Sequence, residues 1–362
     1  MGTRSTDSHR YGLILAGGRG TRFWPRSRRR SAKQVLNIAS SRSLIQNTAE
    51  RLGPLIPPER LWVLTNQCLR DEIVRQLPGI PAEQILAEPA QRNTAPAIGL
   101  AAQILQSIDP DAVMGVFPAD HVIAREARYR QLVRRAFGCA ERGQIAVLGI
   151  RPRWPETGYG YIEFPPEAAA GSRPAVIRRF REKPDLRTAR RYVAAGRFFW
   201  NAGMFFWRTR VLLDELRRNL PRTASILAAL PAFRDAGFPA KLREAFPLCE
   251  NISIDYAVAE KARAVVGIPC PEIGWNDVGS WNAVYELLPH DANANAIPPE
   301  AISQASRGNY VDAGGKLVAL VGVSNLIVID TPDALLIADR HSAQHVADVV
   351  KVLEKRGRDD LL

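Results

Sequence analysis

The apolar run Tyr11–Leu15 feeds directly into GGRGTRFWPRSRRRSAK, Gly17–Lys33. The run reads as a buried parallel strand. The loop after it is long, basic and rich in glycine. Gly17, Gly18 and Gly20 let a ligand approach the backbone without meeting Cβ atoms. Arg22 and Lys33 add fixed positive charge. Backbone donors, a guanidinium and an ammonium together match a polyphosphate, so the loop is a candidate nucleoside triphosphate cradle. It contains no GxxxxGK[ST], which argues against a P-loop. Gly18 and Gly20 are followed by Phe23, so the dinucleotide fingerprint G-x-G-x-x-G fails as well. A glycine-rich turn with solvated arginines is the plain alternative. Loops of this length inside a compact domain are more often functional.

Further candidate strands are Leu61–Thr65, Gln84–Ala87, Val113–Phe117 and Ile145–Gly149. Amphipathic helical patterns lie between them. One begins near Asn93 or Thr94, either a good N-cap, with Pro96 tolerated in the first turn. This alternation predicts an α/β fold, a doubly wound, mostly parallel, Rossmann-like sheet. Ligands of such sheets sit at the carboxyl ends of the strands, where the Gly17 loop and Pro118–His121 both fall. After about Pro289 short β-rich runs, Leu317–Val321 and Asn325–Asp330, are broken by turns, and a last amphipathic helix follows. The expected division is a disordered N-terminus (1–10), a catalytic domain (11–289) and a small β-rich C-terminal domain (290–362). The last would serve packing or oligomerisation, and a homodimer fits it.

The net charge of +12 favours anionic partners. The basic residues are spread along the chain, and their one dense run, Arg26–Arg30, lies inside the loop. No nucleic-acid-binding motif appears, so a small phosphorylated substrate is preferred to nucleic acid. Cys68, Cys139, Cys249 and Cys270 are widely spaced, which suggests a reducing compartment and neither a disulfide framework nor a zinc site. There is no signal-peptide core and no membrane-length apolar run. The expectation is therefore a cytoplasmic protein without a membrane partner.

Asp120, in FPADH, ends a buried strand with an exposed carboxylate. Asp277, in GWNDVGSW, offers a second. Two such aspartates above one sheet suit a single Mg²⁺, which takes one or two carboxylates plus phosphate oxygens and water. Each is equally readable as a turn or cap residue. Glu182-Lys183-Pro184 follows the strand-like Ala175–Phe180; Lys183 suits a phosphate and Glu182 a set of hydroxyls, a surface ion pair being the alternative. Asn201, beside Gly203 in an apolar run, is a candidate sugar ligand or a strand-edge turn. Gly158, in ETGYGYIE, permits close approach to a sugar ring.

The ordered set LAGGRGTRFWPRSR, EPAQRNTAPAI, FPADHVI, ETGYGYIE, FREKPD, WNAGMFFW, SIDYAVAEK and GWNDVGSW resembles the sugar-phosphate nucleotidyltransferases from Leu15 to Trp281. LIVIDTPDALLIA extends the likeness to Ala338. RFWPRSR, EPAQRNTAPAI and NDVGSW are most similar to the branch that joins guanine nucleotides to mannose 1-phosphate. The resemblance implies GTP and mannose 1-phosphate as substrates, Mg²⁺ as cofactor, and in-line attack of the sugar phosphate on the α-phosphate. It implies Arg22 and Lys33 at the triphosphate, Asp120 and Asp277 at the metal, and Lys183 at the sugar phosphate. Glu182, Asn201 and the Gly158 backbone would read the sugar. Gly17, Gly18, Gly20, Glu88, Asn93 and Thr94 would contact the nucleotide, with an ionised Glu88 accepting the two adjacent donors of guanine. His121 is read as structural. One departure is Ala32, where the family usually has proline. Another sugar 1-phosphate, such as a heptose, another base, or a non-catalytic sugar-nucleotide sensor are the alternatives.

Overall fold

A computed structural model describes residues 6–38, 40–169, 171 and 173–362. Strand β1 (Arg10–Ala16) is almost wholly buried, as a strand covered on both faces must be. It pairs in parallel with β2 (Leu61–Asn66), which pairs with β3 (Ile85–Glu88). On its other side lies β4 (Val113–Pro118), also parallel. These strands fall within a residue or two of the runs read from the sequence. Gln84 instead sits in a 3₁₀ turn, where its amide donates to the Leu61 carbonyl at 2.6 Å.

Downstream lie β5 (Val122–Ile123), β6 (Ile145–Ile150), β7 (Tyr161–Glu163), β8 (Ala175–Val176), β9 (Arg179–Arg181), β10 (Phe198–Arg208), β11 (Val265–Cys270) and β12 (Trp275–Asn276). The main sheet runs β3-β2-β1-β4-β10-β6-β11-β8. Its middle strand, β10, is antiparallel to both neighbours, so the sheet is mixed rather than uniformly parallel. The WNAGM segment is part of β10, with a register irregularity between Asn201 and Phe205. The strand-like Ala175–Phe180 resolves into two short strands, β8 and β9, pairing with β11 and β7.

Helices cover both faces. Leu44–Leu52, Arg70–Gln76 and Glu126–Glu141 bury Ile45, Ile73 and Val133 on one face. Thr94–Ile108 and Thr209–Asn219 bury Ile98, Leu105 and Leu212 on the other. This is the doubly wound layering expected from the alternation.

The C-terminal part holds a two-stranded sheet, Ile302–Gln304 with Ala319–Val321, and a three-stranded one, Tyr310–Asp312, Leu326–Asp330 and Leu335–Asp339. The helix Val346–Lys355 closes it. At the other end the expected disordered segment is only partly tested, because residues 1–5 lie outside the described residues. Thr6–His9 form a 3₁₀ turn and Arg10 opens β1, held by His9 at 2.9 Å from Asp109 Oδ2 and by Arg10 donating to Glu141 at 2.7 Å. No helix among the described residues is long and apolar enough to cross a membrane.

Candidate active site

The glycine loop leaves the carboxyl end of β1 and is pinned at its base. Gln34 Nε2 donates to the carbonyls of Ala16 at 2.5 Å and Gly18 at 3.0 Å. Gly20 has φ of +63°, and a Cβ there would lie 2.8 Å from Lys33 Cβ and 2.9 Å from Lys33 N. Glycine at 20 is therefore required by both conformation and space, and it lets the loop fold down onto Lys33. Gly18 faces open space.

Asp120 and Asp277 meet through a two-stranded ribbon. β5 and β12 are antiparallel, with Val122 opposite Asn276 and Ile123 opposite Trp275, so the residues just outside the ribbon become neighbours. Lys33 joins them. Its Nζ donates to Asp120 Oδ2 at 2.8 Å and to the Asp277 backbone carbonyl at 2.8 Å. Burial alone would push the Asp120 carboxyl up. The charge of Lys33 and its hydrogen bond outweigh that and hold it below the usual carboxylate range. Arg22 reaches across to the Gly279 carbonyl at 3.4 Å. Gly20, Arg22, Lys33, Asp120 and Asp277 together line a cavity of 390 Å³. His121 is buried, and Trp275 Nε1 donates to its Nδ1 at 3.2 Å, which assigns the proton to Nε2 in the neutral ring. Burial lowers its pKa further.

Gly17, Gly18, Glu88, Asn93 and Thr94 line a neighbouring cavity of 620 Å³. Asn93 caps the Thr94–Ile108 helix, its side chain accepting from Thr94 N at 2.9 Å. Its φ of 64° and ψ of −172° fall in a region used almost only by glycine. The Thr94 hydroxyl accepts from Ile254 N at 2.9 Å and fastens the helix start to the segment before Asp255. Burial lifts Glu88 to about 8. Burial thus opposes the ionised form that accepting two guanine donors would need.

A third cavity, of 760 Å³, is lined by Arg22, Gly158, Tyr159, Lys183 and Asp277 among others. Lys183 is half-exposed, with Nζ 3.1 Å from Glu182 Oε1. Glu182 itself is buried, and its Oε2 has no hydrogen-bond partner. Gly158 is less available than expected, since its N–H already donates to Glu156 Oε1 at 2.8 Å. Gly160 is the glycine that makes room: a Cβ there would stand 2.4 Å from Glu182 Oε2 and 3.4 Å from Asn201 Cβ. Neither Glu182 nor Asn201 lines this cavity. Asn201 donates to Asp255 Oδ1 at 2.9 Å.

Asp255 is the residue the motif reading passed over, although SIDYAVAEK contains it. It lines the cavity with Glu88 and Asn93, while burial and then the charge of Glu182 lift its carboxyl to about 7. Tyr159 is a second. Burial, followed by the nearby Asp277 carboxylate, raises its hydroxyl pKa. Three non-glycine residues with positive φ, Asn93, Lys183 and Val278, lie in or beside these cavities. Such strain concentrates at functional sites.

No group of three or more His, Cys, Asp or Glu side chains among the described residues converges as a metal cluster. The donor set is two carboxylates, one held ionised, beside an open glycine loop. That set fits a hard divalent cation whose remaining ligands are phosphate oxygens and water.

The chain matches the family described as Nucleotidyl transferase over residues 11–294, and a MannoseP isomerase/GMP-like beta-helix domain over residues 300–353. It is 40% identical to the mannose-1-phosphate guanylyltransferase of Escherichia coli K12 over 97% of this chain and 74% of that protein. It is 39% identical to the xanthan biosynthesis protein XanB of Xanthomonas campestris, over 96% of this chain and 74% of the relative. Among solved structures, a Thermus thermophilus protein described as a mannose-1-phosphate geranyltransferase superposes with a TM-score of 0.85 at 33% identity, covering 96% of this chain and 99% of the other.

Proposed function

The chain belongs to the nucleotidyl transferase family, among its mannose-1-phosphate guanylyltransferases, and we propose that it transfers GMP from GTP to mannose 1-phosphate, giving GDP-mannose and pyrophosphate. The phosphate oxygen of the sugar attacks the α-phosphate in line, and no covalent enzyme intermediate is needed. Rate comes from positioning and from neutralising charge. The observation that carries this reading is the meeting of Lys33, Asp120, Asp277 and Arg22 at one cavity beside the glycine loop.

In this reading the amides of Gly17, Gly18 and Gly20 cradle the triphosphate, and Arg22 and Lys33 hold the departing pyrophosphate. Glu88, Asn93 and Thr94 contact the nucleoside. Lys183 grips the sugar phosphate, and Glu182 and Asn201 read sugar hydroxyls at the Gly158–Gly160 turn. Members of this family use a divalent metal; here we take it to be Mg²⁺ held by Asp120 and Asp277. Mg²⁺ supplies charge neutralisation at the triphosphate oxygens. The catalytic domain is then 11–289 and the β-rich domain 290–362.

The test is product identification. With GTP, UTP or dTTP offered against mannose, glucose and heptose 1-phosphates, the protein should make GDP-mannose fastest. A faster product with another sugar or base would replace the substrate assignment.

A further inference from the structure

Four of the six arginines of the glycine loop are ion-paired. Arg19 pairs with Glu354, Arg26 with Asp312 at 2.5 Å, Arg28 with Asp333 at 2.8 Å and Arg29 with Asp359 at 2.8 Å. Every one of these acids lies in the β-rich C-terminal part. Trp24 Nε1 donates to the Leu361 carbonyl at 3.0 Å, and the Trp24 carbonyl accepts from Trp281 Nε1 at 3.0 Å. Phe23 and Trp24 share one buried apolar cluster with Val278, beside Asp277, and with Ile327, Val346 and Val350. Ala347, from the last helix, lines the cavity that contains Lys33 and Asp120.

One exposed ion pair stabilises little. Four on a single loop, backed by a common apolar cluster, restrain it from several directions. Arg22 and Arg30 differ from these four: neither makes an ion pair among the described residues, and Arg22 reaches only a carbonyl. Three of the four arginines in the Arg26–Arg30 run therefore anchor the loop.

We propose that the C-terminal part is a positioning element for GTP, with the Val346–Lys355 helix and Glu354 bracing the glycine loop so that its amides and Arg22 are set before the nucleotide arrives. This rests on the reading of Gly17–Lys33 as the triphosphate cradle. Glu354 is a positioning residue, since it acts through Arg19. Holding the loop in place before binding removes an ordering cost that GTP would otherwise meet.

The experiment is amide hydrogen exchange across residues 17–24 of the ligand-free full chain, joined to steady-state kinetics. Glu354→Arg should speed exchange in that stretch by roughly tenfold while β1 stays protected. It should raise the GTP KM by about threefold or more and leave the mannose 1-phosphate KM within about twofold. Glu354→Gln should act in the same direction and more weakly, which guards against a folding failure in the charge reversal. Arg19→Glu combined with Glu354→Arg should restore the slow exchange. Unchanged loop exchange in Glu354→Arg, an equal rise in both KM values, or no recovery of protection in the double variant would overturn the brace. Should the protein turn over no GTP at all, the functional reading fails, while the exchange data still decide the brace.

Discussion

Lys33 Nζ is shared between the Asp120 carboxylate and the Asp277 backbone carbonyl, 2.8 Å from each. The two aspartates are thus not equivalent. Asp120 neutralises a buried ammonium with its side chain; Asp277 offers it only an uncharged main-chain acceptor.

Asparagine substitutions should separate these roles. Asp120→Asn strips the counterion from Lys33. The Asp120 side chain is 36% exposed, so the loss falls short of that of a fully buried pair, at roughly 1–3 kcal/mol. Asp277→Asn keeps the carbonyl and should change stability by under about 1 kcal/mol. Both should cut turnover by orders of magnitude if both hold the metal. Thermal melts and turnover at limiting Mg²⁺ check this. Equal melting losses, or near-normal turnover in either variant, would contradict it. The folded pKa of Asp120 is depressed, so the pair's contribution is present above about pH 4 and lost as pH falls through the folded value.

If Glu88 accepts the two guanine donors, base choice should depend on pH. Burial pushes its carboxyl up to about 8, and accepting two guanine donors requires the ionised form. Guanine binding then releases a proton. The preference for GTP over UTP should therefore rise with pH, by up to about tenfold per unit below 8, and level off above it. The ratio cancels the phosphate ionisation common to both nucleotides. Glu88→Gln should flatten the profile and lower the preference by roughly 1–3 kcal/mol. A wild-type ratio that does not move between pH 6 and 8 would sink this role.

Lys183 and Arg22 should divide the substrates. Lys183→Ala should raise the mannose 1-phosphate KM far more than the GTP KM. Arg22→Ala should do the reverse, since Arg22 leaves the glycine loop itself. Parallel losses for both substrates in both variants would show that Lys183 and Arg22 do not serve different substrates.

Ala32 holds φ at −74° and ψ at 163°, a conformation that proline adopts without strain. Ala32→Pro should raise stability by about 0.4–1 kcal/mol through the unfolded chain, with turnover unchanged. A lower melting midpoint would mean that this buried position lacks room for the ring.

Much of the layering was legible because β1 to β4 are short apolar runs and Asn93 is a strong cap. The antiparallel β10 was not, because Asn201 and Gly203 read as a turn; their register irregularity depends on pairing with β6. The convergence of Asp120 with Asp277 was expected, whereas its means, a two-stranded ribbon, is a tertiary event. Asp255 lies in the SIDYAVAEK motif, but nothing in the motif names its partners; its surroundings come from Asn201 and Glu182 folding against it. The part played by the Arg26–Arg30 run was not legible for a related reason: the acids that pair with three of its arginines lie far away in sequence, in the C-terminal part.

The central claim is most directly tested by pyrophosphate release from GTP, mannose 1-phosphate and Mg²⁺. Release that requires all three, and that equals GDP-mannose formed mole for mole, is the expected result. No release above background, or release from GTP without the sugar phosphate, would contradict the assignment.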